Sequence, residues 1–121
     1  MTLRASIRCG LLAAILSAAW PAIAQDMRFM SDTPYVHFTK EDHALFSAAM
    51  EEALEKGADG KALAWSNPAT RASGVLTPVK SFERKELKCR RLSIANKAQG
   101  RSSLAEYNFC KQASGKWVIA N

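Results

Sequence analysis

Cysteine constrains this chain more than any other residue type. Of the three, Cys9 sits in an N-terminal stretch that reads as an export signal, while Cys89 and Cys110 lie in what export would leave behind. Arg4 and Arg8 give a positive start, residues 11–19 a short apolar run, and Ala22 and Ala24 the small residues read by a signal peptidase. Residues 1–24 are therefore expected to be a cleaved signal peptide, with the cut before Gln25. The apolar run is shorter than the roughly 20 residues that span a bilayer, so no transmembrane segment is expected in the mature chain. Cys9 precedes the apolar run, so lipid attachment there is not expected either. In an oxidising compartment the two remaining cysteines favour a disulfide, Cys89–Cys110. A closed loop of about 22 residues is worth on the order of 3 kcal/mol in the chain-entropy model. The spacing leaves open two other readings, separate free thiols and a catalytic thiol with His37 or His43 as base.

Without residues 1–24 the 121-residue chain is reduced to 97, enough for one domain. That is too short for a barrel or a doubly wound nucleotide-binding fold. Charge divides unevenly: residues 25–70 hold four basic and eight acidic side chains (−4), and residues 71–121 hold eleven basic and three acidic (+8). The densest basic stretch is Arg84, Lys85, Lys88, Arg90 and Arg91. It reads either as a solvated sheet face or as a candidate contact for an anionic envelope component such as a glycolipid or polymer. Export argues against nucleic acid as a partner.

Residues 25–38 show no helical period and contain Ser31, Asp32 and Pro34, which predicts an extended lead-in. Thr39 and Asp42 then form a shortened capping box. Leu45, Phe46, Ala49, Met50, Ala53 and Leu54 give one apolar helical face, with Glu41, Asp42, Glu51, Glu52 and Glu55 on the wet side. Gly57 fits a left-handed cap, so the helix is expected over about 39–56. Trp65 to Pro68 reads as an extended segment entering a turn. Four strands are expected over 75–82, 87–96, 102–111 and 116–120, with breaks at Gly100 and at Ser114-Gly115. The predicted fold is α+β: one amphipathic helix packed on a roughly four-stranded antiparallel meander, with Cys89 and Cys110 on adjacent strands.

An ordered series of residues runs through residues 62–121. It consists of Trp65, Asn67-Pro68, Thr70 and Gly74, then Thr77-Pro78, Cys89-Arg90, Cys110-Lys111, and Gly115 with Trp117. The series resembles the C-terminal domain of the 17-kDa outer-membrane surface antigen family, with Arg71 where the family pattern has glycine. Longer members carry a lipidated cysteine and a glycine-rich hairpin, neither of which is seen here. The resemblance implies a single surface-antigen-like domain over 39–121 in an exported protein, located in the periplasm or associated with the outer membrane. It supplies no catalytic residues.

On chemistry alone, Trp65, Asn67, Pro68, Gly74, Gly115 and Trp117 read as architectural: ring anchors, a side-chain-closed turn and backbone accommodation. A ligand cleft with Trp65 as a stacking wall is the competing reading. No nucleophile elbow or phosphate-cradling loop is present. His37 and His43 are six apart, off the spacing that puts two ligands on one helical face, and no metal or other cofactor is expected. Glu51, Glu52 and Glu55 read as a solvated helix side rather than as glycosidase carboxylates. The expected function is that of a non-enzymatic structural or interaction protein of the cell envelope. The alternatives are an inhibitor or accessory factor of an envelope enzyme and, behind it, a small secreted hydrolase.

Overall fold

The computed structural model describes residues 27–120, so the expected signal segment 1–24, Cys9 and the expected cleavage position lie outside the described residues. The segment ahead of the helix is not extended. It makes two 3-10 turns, Arg28–Met30 and Pro34–His37, the second opened by Pro34 and capped by the Thr33 hydroxyl. These turns put Met30 and Phe38 into the core, which an extended strand would have carried away from it.

One α-helix follows, α1 (Lys40–Lys56), with Thr39 as N-cap and the expected capping box with Asp42 formed in both directions. Phe46, Ala49, Met50, Ala53 and Leu54 are buried along it. Two expectations for the helix fail. Asp42 is not on the wet side but 1% exposed, whereas Leu45 is exposed. Gly57 ends the helix with φ −64° and ψ 136°, not in the left-handed region. Glycine is needed there for space: a Cβ would come within 2.6 Å of the Ala53 carbonyl oxygen and 2.9 Å of Pro78 Cγ, where the helix end rests on the sheet.

The expectation of four strands is also corrected, because the chain is mostly β. The described residues form five antiparallel strands in sequence order, curled into a half-barrel with the helix α1. They are β1 (Leu63–Asn67), β2 (Ala72–Arg84), β3 (Leu87–Ala98), β4 (Arg101–Lys111) and β5 (Trp117–Ala120). The additional strand is β1. Only five residues long and stopped by Pro68, it lacks the β-branched run that marks a strand in sequence. It is held instead by its partner, with Trp65 opposite Gly74 and Asn67 opposite Ala72. Tight turns join the long strands. Gln99 and Gly100 both take positive φ between β3 and β4, as do Lys85 and Glu86 between β2 and β3.

Period-2 alternation divides the sheet. Leu76, Leu92, Ile94, Phe109 and Trp117 are buried with the helix residues in one core, while Val75, Leu104 and Val118 are exposed. Pro78 is fully buried in β2, and the register slips between Pro78 and Lys80, as suits a strand residue with no N–H to donate. Beyond that slip, Phe82, Cys89, Cys110 and Val118 are successive cross-strand partners from β2 to β5. Cys89 and Cys110 are directly opposite each other, with Cα atoms 4.0 Å apart, and are joined in a disulfide.

Gly74 is the point where two strands and a ring meet. A Cβ there would overlap both Trp65 Nε1 and Asn96 Oδ1, and would lie 2.7 Å from the Ala95 carbonyl oxygen. Gly74→Ala is expected to destabilise the domain by about 1–3 kcal/mol, the usual cost of overpacking. Thermal melting should show the midpoint falling by at least several degrees, and an unchanged midpoint would contradict the packing described.

Candidate functional site

The polar groups that the family-like series contributes converge on the two ends of α1. At the N-terminal end, the Asp42 carboxylate accepts from the Thr39 backbone N–H (2.9 Å), Asn67 Nδ2 (2.8 Å) and the Thr70 hydroxyl (2.7 Å). Asn67 Oδ1 in turn accepts from the Ala69 backbone N–H, and Thr70 Oγ1 from that of Ala72. Burial pushes the Asp42 carboxyl up, but the hydrogen bonds from Thr39, Thr70 and Asn67 outweigh it and hold the group below its ordinary range. Asn67 and Thr70, with Pro68 fixing the bend between them, thus fasten the β1–β2 turn to the start of the helix. Arg71 completes this turn at φ 62°, a left-handed conformation that suits glycine.

At the C-terminal end, Arg90 Nη1 donates to the Ala53 and Leu54 carbonyl oxygens at 2.9 and 3.2 Å, in the last turn of the helix, where the Ala53 oxygen also accepts from the Gly57 N–H. Its Nη2 is 2.6 Å from Asp59, whose carboxyl is held below its usual range first by Arg90 and also by Ser81. Glu55 is the second tie. It accepts from the Trp117 indole N–H at 2.8 Å and pairs with Lys111 at 2.9 Å. Lys111, followed by Trp117, holds the Glu55 carboxyl below the ordinary value. Gly115, at φ 87°, turns the chain between Lys111 and Trp117 so that both reach the same carboxylate. Trp65 packs edge-on against Phe38 and Phe46 and donates from Nε1 to Asn96 at 3.3 Å.

The five basic residues from 84 to 91 do not form one patch. Arg90 is buried as a helix strut, and Arg91 pairs with Glu106 at 2.6 Å. Arg84 and Lys85 lie at the β2–β3 turn, with Arg84 stacked 5.8 Å from the centre of the Phe82 ring. Lys88 lines a cleft of about 550 Å³ with Glu55, Phe82, Glu83, Lys111 and Trp117. Three carboxylates, Asp42, Glu55 and Asp59, and the buried Asn96 were not singled out as sites by sequence reasoning. Asp42 is legible there only as a capping residue and Glu55 only as part of a solvated helix side, while Asn96 continues the alternating positions of Leu92 and Ile94.

The catalytic readings lose their geometry. Cys89 and Cys110 are bonded to each other, and the His43 ring packs against Tyr35 at 4.4 Å. His37 lines a different cleft with Asp32 and Arg101. Among the described residues, no group of three His, Cys, Asp or Glu side chains is placed to hold a metal. No helix among them is long and apolar enough to cross a membrane.

Because the folded Asp42 carboxyl titrates below its unfolded value, its contribution is complete above about pH 4 and is lost as the pH falls through the folded value. Asp42→Asn is therefore expected to cost about 2 kcal/mol at neutral pH, in the range for hydrogen bonds to a charged group. Urea denaturation should show that gap narrowing towards about pH 3. A gap independent of pH would contradict the assignment.

With this geometry in place, comparison with known proteins gives one consistent relationship. The 17 kDa surface antigen of Rickettsia bellii is 26% identical over 83 residues, covering 68% of this chain and 52% of the relative. Those of Rickettsia conorii and Rickettsia rickettsii are 28% identical over the same length. The chain spans about half the length of the curated relatives it matches. No family model and no solved structure matches. The chain is thus a distant relative of the rickettsial 17 kDa surface antigens.

Proposed function

We propose that this protein is exported to the periplasm or the outer membrane and acts there as a structural or interaction domain rather than an enzyme. The observation that carries this reading is the use made of the polar side chains. Asp42, Glu55, Asp59, Asn67, Thr70, Arg90 and Trp117 are tied to one another or to the backbone, so the groups most suited to chemistry are engaged in holding the helix on the sheet. The disulfide supports the exported location, since cytosolic reductants would leave the pair reduced. The distant relationship to proteins named surface antigens agrees with it. The exposed basic residues Lys85 and Lys88, beside Arg84, are the part of the 84–91 run that is offered to an anionic envelope component.

The test is an intact mass of the full chain recovered from fractionated Gram-negative cells, with and without reductant and alkylation. The expected species sits in the envelope fraction, begins at Gln25 and resists alkylation until reduced. A cytosolic species that retains residues 1–24 and has alkylatable Cys89 and Cys110 would overturn the reading.

A further inference from the structure

The opposite end of the sheet from the β2–β3 turn carries a second concentration of positive charge. A cleft of about 480 Å³ lies where the β1–β2 turn meets the β3–β4 turn, and its lining includes Arg71, Lys97 and Arg101 together with Thr70, Gly100 and Ser102. Lys97 and Arg101 flank one tight turn, and the fold brings Arg71, 26 residues before Lys97, to the same place. Arg71 comes from the β1–β2 turn, Lys97 from the end of β3 and Arg101 from the start of β4. Lys97 and Ser102 are direct cross-strand partners.

Three of the protein's other clustered cations are neutralised, whereas Lys85 and Lys88 stay exposed on the β2–β3 hairpin. Arg90 is paired with Asp59, Arg91 with Glu106 and Lys111 with Glu55. Among the described residues, Arg71, Lys97 and Arg101 have no such partner, and no carboxylate lines their cleft. Two acids are near. Asp42 lies behind Thr70, 1% exposed and with its carboxylate already taken by Thr39, Asn67 and Thr70. Asp32 lines an adjoining cleft that shares Arg101 and Ser102, but it forms no ion pair with the arginine. Arg71 is in addition held at φ 62°, which for a side chain other than glycine costs roughly 1–2 kcal/mol. Strain of this kind, next to unneutralised like charges in a concave surface, is the pattern of a site arranged for a ligand of opposite sign.

We propose that this cleft binds a phosphate-type anion. The two arginines would supply planar forks that match phosphate oxygens, and Lys97 a point charge. The Ser102 hydroxyl adds a donor, whereas that of Thr70 is already given to Asp42. This inference is independent of the envelope reading, since it rests on the cleft alone and concerns neither Lys85 nor Lys88.

The experiment is titration of the oxidised mature protein with pyrophosphate, followed residue by residue in amide NMR spectra at low and high salt. A parallel titration uses phosphatidylcholine vesicles with and without phosphatidylglycerol, to separate a soluble phosphate from a lipid headgroup. Shifts or broadening are expected at Arg71 and from Lys97 to Ser102, diminished by salt. The K97E/R101E variant should retain its overall spectrum and lose affinity by about tenfold or more, while K61E/K116E, an equal charge change at exposed lysines outside the cleft, keeps it within about twofold. A response to pyrophosphate assigns the site to a soluble phosphate, and a cleft response confined to phosphatidylglycerol vesicles assigns it to a headgroup. No response at the cleft with either probe would overturn the proposal. So would binding that survives K97E/R101E, or binding lost equally in K61E/K116E.

Discussion

A single buried carboxylate, Asp42, determines how the helix and the sheet meet. A charge removed from water costs several kcal/mol unless hydrogen bonds replace its hydration. Asp42 is supplied from two directions, by Thr39 of its own helix cap and by Asn67 and Thr70 of the β1–β2 turn. The capping box would form in an isolated helix, but the contribution from the turn forms only in the folded domain. Apolar burial of Phe46, Met50 and Leu54 drives the helix onto the sheet without choosing a register along it. The carboxylate chooses one, because a slip by one turn would leave Asp42 buried and without two of its donors.

The other end of α1 follows the same logic with the signs reversed. A helix C-terminus presents open carbonyls and negative partial charge, and Arg90 meets both. Glu55 then draws in the β4–β5 turn through Lys111 and Trp117. Since Cys89 precedes Arg90 and Cys110 precedes Lys111, each half of the disulfide sits beside a residue that reaches the end of the helix. Neighbouring residues on a strand point to opposite faces. The bridge therefore fastens β3 to β4 on one side of the sheet while Arg90 and Lys111 fasten the helix on the other. This division of labour accounts for the cysteine–basic pairs as architecture.

Much of this was legible in the sequence, and what was missed has physical causes. Thr39, Asp42 and the 3.6-residue period located the helix because capping and amphipathicity are local. Strands β2 to β5 were visible for the same reason, through alternation between glycine-marked turns. β1 was not, since five residues ending at Pro68 acquire strand structure only from Gly74 and its neighbours opposite. The 3-10 turns at 28–30 and 34–37 depend on the sites that Met30 and Phe38 fill, which lie in the core built by later residues. The basic run from 84 to 91 was readable as charge but not as geometry. Its cations divide among a turn, a helix strut and a cross-strand pair, and the partners, Asp59 and Glu106, are remote or on another strand. Lys97 and Arg101 flank the break at Gly100 that the sequence shows, but the approach of Arg71 to them left no trace, because that proximity is set by the register of the meander.

The Asp42 carboxylate and the β1–β2 turn act as one unit. The most direct test is a double-mutant cycle in urea with Asp42→Ala, Asn67→Ala and the combined variant, all with the disulfide intact. Residues sharing a buried hydrogen bond couple, and an interaction energy on the order of 1–3 kcal/mol is predicted, with the second substitution costing much less once the first is present. Additive effects, with coupling below about 0.5 kcal/mol, would mean that the helix cap and the turn are stabilised independently and would contradict the account.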